Sequence, residues 1–256
     1  MMRNTLFSVA AIALCAASTA VVARAPDLAY AYDFATGSRQ VVKFPVGAPG
    51  SMTVVGPQAD SLNGLDFDPA GSVLWALNLT HQTVGTVDKE TGAYTPVATV
   101  QAGFVNALTI DPVAGTFLVS KLDEYVYSLD PQTGETILLA QGAPAQTQIT
   151  ALAMDCSARL FAMAADGNGS HLYQVNLDAG PTLIGTPQYS GATTLEFDND
   201  AGDLYGWFNS SGNDFSTYGS VDPATAVVAN TSLLAGKYRM AIRNTCFRIF
   251  TDDFES

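Results

Sequence analysis

The chain has 256 residues, of which 48% are hydrophobic and only 14% are charged, and its formal net charge at pH 7 is −13. This composition, with 22 glycines, favours a tightly turned all-β domain and excludes a coiled coil or a disordered chain. Acidic surface of this size repels phosphate backbones, so we expect no nucleic-acid partner.

The first residues have the layout of a secretory signal peptide. Arg3 precedes an alanine-rich apolar run from Leu6 to Val22, which is too short to span a membrane comfortably. Cleavage fits best after Ala20, within the range 20–25. The leader therefore predicts a secreted or periplasmic protein, with the cell surface as a further destination, that does not span a membrane.

The mature chain is predicted to form a single domain over residues 26–251, because no linker or charge run divides it. A repeat of about 43 residues runs through it. In each copy an apolar, alternating strand ends in an acid, and a polar turn and three further short strands follow. The clear copies of that first strand end in Leu65–Asp68, Leu108–Asp111, Leu152–Asp155 and Leu195–Asp198, and Met240–Arg243 is a degenerate fifth copy.

Four short antiparallel strands per repeat predict an all-β fold, a β-propeller of about five four-stranded blades. Complete blades are predicted at 57–100, 101–143, 144–187 and 188–236. Residues 28–56 would supply strands two, three and four of a last blade, and the segment Tyr238–Arg243 would supply its first strand. The ring is therefore predicted to close through both chain ends, as a monomer.

Two segments resemble known proteins. The turn Asp130–Gly134 and the acids that end the first strands resemble the repeats of quinoprotein-type and YVTN-type bacterial propellers. That resemblance implies the architecture and no activity, because such propellers include enzymes and binders. Residues 249–255 resemble the I-F-x-D-G-F-E ending of exported Gram-negative proteins, with Asp253 in place of the usual glycine. This ending, with 252–256 as a tail, is either an export or sorting feature or a plain strand.

Two cysteines follow the leader, Cys156 and Cys246, and each comes shortly after the first strand of its blade. An even count in an oxidising compartment allows a disulfide, which would tie the C-terminal segment across one end of the channel. Two buried free thiols are the alternative.

The first strands of a propeller line its central channel, and each carries a polar residue five positions before its closing position. We predict that these residues form a polar ring near one mouth of the channel. The ring either satisfies neighbouring backbone groups and water or binds a small molecule or glycan between the surrounding loops. The candidate residues are Asn63, Asn106, Thr150, Thr193 and Tyr238, with His81 and His171 in the loops.

Motifs for catalysis or zinc binding are absent from the sequence, which has two histidines, no H-E-x-x-H and no G-x-S-x-G. We therefore expect no cofactor. Glycine-rich turns offer weak calcium ligands, although the repeated positions of most acids favour turn capping instead. The calcium candidates are Asp166, Asn168, Asp200 and Asp203.

The leading hypothesis is a non-enzymatic binding or scaffold module whose partner is a small molecule, a glycan or a protein. The alternative is a hydrolase or lyase acting on a lactone or glycan, with Asp123, Asp166 or Asp214 as acid and base. Such an enzyme needs two or more of these acids in one pocket, which spacing cannot show. A purely structural surface protein is the third possibility.

Overall fold

A computed structural model describes residues 27–35, 37, 39–101, 103–209, 214–243 and 246. These residues form twenty strands in five four-stranded antiparallel sheets, with one short 3-10 turn at Pro49–Ser51 and no α-helix. The proposed leader and the tail after Cys246 lie outside the described residues.

Four sheets are each built from consecutive strands, and we name them blades 1 to 4. Blade 1 contains β4 (Leu62–Phe67), β5 (Leu74–Asn78), β6 (Thr83–Val87) and β7 (Tyr94–Thr99). Blade 2 contains β8 (Val105–Ile110), β9 (Phe117–Lys121), β10 (Tyr125–Leu129) and β11 (Thr136–Gln141). Blade 3 contains β12 (Gln148–Met154), β13 (Leu160–Asp166), β14 (Gly169–Asn176) and β15 (Gly180–Gly185). Blade 4 contains β16 (Ala192–Asp198), β17 (Asp203–Asn209), β18 (Phe215–Val221) and β19 (Val228–Ala235).

The fifth sheet, the closing blade, joins the two ends of the described chain. Its strand order is β20 (Tyr238–Ile242), β1 (Leu28–Asp33), β2 (Gln40–Pro45) and β3 (Thr53–Pro57). Strand β20 pairs antiparallel with β1 from Ala29 opposite Ile242 to Asp33 opposite Tyr238. The predicted five-bladed propeller and its closure by both ends are therefore confirmed, and each predicted blade range contains the four strands of one sheet.

Acids at the repeated turn positions cap the hairpins. The Oδ1 atom of Asp68 accepts the backbone N–H groups of Ser72 and Val73, at 2.6 and 2.7 Å. Asp88 accepts those of the second and third residues after it, and Asp111 repeats this pattern in blade 2. The capping interpretation of these acids is confirmed, and it explains why they recur at one position of the repeat.

The hydrophobic core lies between the blades. Each of five buried clusters combines side chains of two neighbouring blades. Trp75 packs edge-on against Phe117 of the next blade with ring centroids 5.0 Å apart, and Trp207 packs against Phe44 of the closing blade at 5.8 Å. Packing between neighbouring blades therefore fixes the positions of the first strands, and these strands surround the channel.

Cys156 follows β12 and is joined to Cys246, which follows β20, with the two Cα atoms 5.5 Å apart. The bond connects blade 3 to the segment after the closing strand, across the end of the ring where the first strands finish. No helix within the described ranges is long and apolar enough to cross a membrane.

Candidate functional site

A β-bulge interrupts four of the five first strands near their starts. The pairing of each with its second strand skips one residue, and the skipped residues are Gly64, Asn106, Thr150 and Thr193. A bulge re-aims the side chains on either side of it. Strand β20 has no such irregularity, since it pairs with β1 residue for residue.

The structure brings several of the predicted ring residues together. The Asn63 side chain donates from Nδ2 to Oδ1 of Asn106 at 3.2 Å, and Asn106 donates in turn to the carbonyl of Ile149 at 2.7 Å. Thr150 donates to the carbonyl of Met163 at 3.3 Å. Asn63 is itself 1% exposed, so it contacts this ring without facing solvent.

Tyr238 lies elsewhere. Its ring packs on Trp207 with centroids 4.4 Å apart, and its hydroxyl donates to the carbonyl of Ala235 at 2.6 Å. The next residue, Arg239, faces the channel in its place. The reason is the strand register. Successive side chains of a strand point to opposite faces, and β20 lacks the extra bulge residue of the other first strands. The residue that faces the channel in β20 is therefore one position later in the repeat.

A pocket of about 580 Å³ opens at this mouth. Three of the predicted ring residues line it, and loops of blades 3 and 4 form its wall. Its volume is within the range of small-molecule sites. Its lining residues are Phe34, Asn106, Leu122, Gln148, Thr150, Ala165, Asp166, Gly169, Ser170, Ser190, Gly191, Ala192, Thr193, Asn209, Lys237 and Arg239.

Arg239 is a charged residue of the pocket lining that is held by two contacts. One guanidinium nitrogen donates to the backbone carbonyl of Thr193, and the group lies over the ring of Phe34, 5.3 Å from its centroid. Desolvation by burial lowers the pKa of Arg239 to about 10, so the side chain is still positively charged at neutral pH. Within the described ranges, no carboxylate forms an ion pair with it.

Two further polar groups accompany it. Lys237 places its Nζ atom 4.0 Å from Oδ1 of Asp214, a carboxylate that is 66% exposed and therefore a weak partner. Asn209 is part of the pocket lining, and its buried Oδ1 atom accepts no hydrogen bond from the described residues.

The two histidines flank the mouth without lining the pocket. His81 places Nε2 3.3 Å from Oδ1 of Asp60. His171 places Nδ1 2.8 Å from Oγ1 of Thr186 and Nε2 3.6 Å from Oδ1 of Asp166. His81 lies in the predicted loop between β5 and β6, whereas the prediction of a loop at His171 is wrong, because this residue belongs to strand β14.

Among the calcium candidates, Asp166 caps its own turn. The Oδ1 atom of Asp166 accepts the N–H groups of Asn168 and Gly169, and these hydrogen bonds lower the pKa of its carboxyl. Asp200 lies in the turn between β16 and β17, and Asp203 is the first residue of β17. In the part of the chain that the structure describes, no three histidine, cysteine or acidic side chains converge on one metal position.

The three acids proposed for catalysis all belong to this end of the propeller, yet each is engaged locally. Asp123 accepts the Tyr127 hydroxyl at 2.8 Å and the N–H of Tyr125 at 3.1 Å. Asp166 caps its turn, and Asp214 faces Lys237. Only Asp166 is part of the pocket lining.

A second polar level lies deeper in the channel, three residues after the predicted ring positions of β4 and β16. Asp66 is 8% exposed and accepts the N–H of Ile110 at 2.6 Å, that of Phe67 at 2.7 Å and the Thr109 hydroxyl at 3.2 Å. Glu196 is 4% exposed and receives no hydrogen bond from the described residues. Both acids line a cavity of about 10 Å³, room for one water molecule.

Burial dominates the titration of this pair. Desolvation raises the pKa of Asp66 to about 7, against the lowering effect of its three hydrogen bonds. Desolvation also raises the pKa of Glu196 well above its ordinary value, and repulsion from the Asp66 carboxylate adds to it. At neutral pH the pair therefore does not carry two full charges.

Sequence reasoning missed Arg239, Asp66 and Glu196. A signal existed for the acids: the residue two positions before each closing residue varies between copies, and only blades 1 and 4 place an acid there. The others have Thr109, Ala153 and Ala241. Arg239 gave no such signal, because its exposure to the channel depends on a missing bulge.

Comparisons with known proteins bear on the fold alone. No protein-family model matches the chain, and no curated protein matches it.

Similar solved structures do exist. One is a chain in the crystal structure of a nidogen/laminin complex, 11% identical, with a TM-score of 0.58 over 85% of this chain and 98% of that one. TolB from Acinetobacter baumannii is 13% identical, with a TM-score of 0.52 over 82% of this chain and 53% of TolB. A Bacteroides thetaiotaomicron protein of unknown function is 14% identical, with a TM-score of 0.51 over 80% and 54%. The chain thus spans about half the length of the last two, and at these identities the likeness shows a propeller and no activity.

Proposed function

We propose that this protein is an exported, non-enzymatic binding module that takes a small ligand in the pocket at the channel mouth. The observation that supports this most is the pocket itself, a concave space of about 580 Å³ lined by predicted ring residues and by Arg239. If the first strands around the channel served only to close the ring, a charged side chain at the channel mouth would be unfavourable, because desolvating a cation costs free energy.

Binding fits the arrangement of the lining better than catalysis. General acid–base chemistry needs two groups poised over one substrate position. Of the three acids considered, only Asp166 lines the pocket, and its Oδ1 atom accepts two backbone N–H groups. The proposal therefore assigns the pocket a recognition role, with the propeller as a rigid frame.

Export is part of the same proposal and rests on the leader-like N-terminal run and on the cysteine pair. A disulfide persists in an oxidising compartment. Fractionation of cells that express the full chain tests this part, since an exported protein is recovered outside the cytoplasm and without the first twenty or so residues.

The test of binding is a thermal-stability screen of the mature protein against panels of neutral sugars and small organic acids. A ligand of the native state raises the unfolding midpoint. Each hit is then titrated against two variants. Ser190→Trp fills the pocket from an exposed position of its lining, whereas Thr182→Trp places the same side chain on the outer strand of blade 3.

We expect Ser190→Trp to abolish binding and Thr182→Trp to leave it unchanged. Equal binding by both variants would place the ligand outside the pocket. A screen without any hit would remove the proposal in favour of a structural role.

A further inference from the structure

The charge of the mouth pocket is opposite to that of the protein. The chain has a formal net charge of −13, yet the basic side chains Arg239 and Lys237 both line the pocket. The one acid in the lining, Asp166, directs Oδ1 into its own turn. A positive site inside an acidic protein is electrostatically suited to an anion.

Arg239 has hydrogen-bonding capacity to spare. A guanidinium group has five N–H donors, and the described residues engage it through the carbonyl of Thr193. Phe34 covers one face of the group and keeps water from it. Because its positive charge is partly desolvated without a carboxylate beside it, an anion bound here would gain strong, charge-assisted hydrogen bonds.

The surroundings of Arg239 indicate the rest of the ligand. Gln148 and Asn209 add amide side chains to the wall. Phe34 and Leu122 supply apolar surface. Such a lining suits a small organic molecule with one charged end and an apolar part.

From these observations we propose that the pocket binds small organic carboxylates, with Arg239 holding the carboxylate. The planar guanidinium matches a carboxylate in two parallel hydrogen bonds, which a neutral sugar cannot form. This inference rests on the proposed function and specifies its ligand class.

The experiment measures affinities by calorimetry for two matched pairs, benzoate with benzamide and glutarate with glutaramide. Each pair keeps the shape and removes the charge. We expect each carboxylate to bind at least about ten-fold more tightly than its amide, because hydrogen bonds to a charged group are the stronger ones. Inorganic phosphate, added as a competitor, is expected to bind more weakly than either acid.

Variants connect this preference to one residue. Arg239→Gln is expected to remove the preference for carboxylates. Arg239→Lys keeps the positive charge but loses the paired donors of the planar guanidinium group, so it is expected to retain part of the preference. Arg39→Gln removes the same charge from an exposed site and is the control. Circular dichroism checks that each variant is folded, and Arg239→Lys serves as the test variant if Arg239→Gln is not.

The inference would be overturned by equal affinity for acids and amides, by a carboxylate preference that is undiminished in the test variant, or by tighter binding of phosphate. The absence of carboxylate binding would also overturn it. If neutral sugars still bound in that case, and Ser190→Trp blocked them, the proposed function would stand without this ligand class.

Discussion

Asp66 and Glu196 occupy the same repeat position in blades 1 and 4, and together they line one small cavity in the channel on either side of the closing strand β20. They differ in their partners. Asp66 accepts three hydrogen bonds, whereas Glu196 receives none from the described residues. The proton that the pair retains near neutral pH is therefore expected on Glu196.

This pair predicts a stability that falls as pH rises. Unfolded carboxyl groups lose their protons near pH 4, but Asp66 titrates at about 7 in the folded protein, and the pKa of Glu196 is also raised. Between these pH values the folded state binds more protons than the unfolded state, so the free energy of unfolding decreases. The contribution is fully present below about pH 4 and is lost through pH 7.

Glu196→Gln isolates the effect, because the amide is similar in shape and cannot ionise. We expect it to stabilise the protein at pH 8 by on the order of 1 kcal/mol and to flatten the slope between pH 5 and 8. Urea unfolding at several pH values measures both. Glu135→Gln, at an exposed turn, should change neither. A uniform loss of stability at every pH would contradict this account.

The Cys156–Cys246 bond is expected to stabilise the ring closure. It joins residues 90 positions apart, and a cross-link over a loop of that length restricts the unfolded chain. Replacing both cysteines by alanine should lower the free energy of unfolding by roughly 2–4 kcal/mol. Denaturant unfolding with and without reductant measures it, since reduction should bring the parent protein to the variant's stability.

A thiol titration of the denatured mature protein provides the control for this prediction. The bonded pair yields no reactive thiol before reduction and two afterwards. Two thiols before reduction would instead support a pair of free cysteines.

The two tryptophans are expected to contribute unequally. Trp207 is fully buried between blade 4 and the closing blade, where it packs on Phe44, Tyr218 and Tyr238. Trp75 is only partly buried. Trp207→Ala should therefore cost roughly 3–5 kcal/mol, and Trp75→Ala clearly less. Chemical unfolding of the two variants compares them directly, and equal losses would argue against blade packing as the source of closure.

A comparison of two glycines distinguishes the cost of a positive φ angle from the cost of a close contact between blades. Gly134 and Gly180 both have positive φ, at +75° and +85°, and each follows the turn after a third strand. A Cβ atom at Gly134 would lie 1.9 Å from the carbonyl oxygen of Thr99 in blade 1, whereas one at Gly180 would meet nothing within 4 Å.

Gly180→Ala should therefore cost about 1 kcal/mol from backbone strain alone. Gly134→Ala should cost more, roughly 3 kcal/mol, because the two blades must also move apart. Thermal unfolding measures the difference. Similar costs at both sites would show that blades 1 and 2 can separate locally.

Sequence alone was sufficient for the architecture. Closing acids such as Asp68 and Asp111 recur every forty-odd residues because each hairpin needs a side chain that caps its own backbone, a local requirement that leaves a visible period. The same local pattern revealed the missing first strand at the N-terminus, and with it the closure through Tyr238–Ile242.

Which side chains form the site depends on strand register, and the repeat period of the sequence does not specify that register. Counting from the closing position placed Tyr238 in the ring, but β20 lacks the bulge of the other first strands, so Arg239 faces the channel. The acids Asp66 and Glu196 are far apart in sequence and lie at one level only because the ring closes between their blades. The repeat thus determined which strands line the channel, while bulges and closure, which arise from contacts between blades, decided which side chains meet inside it.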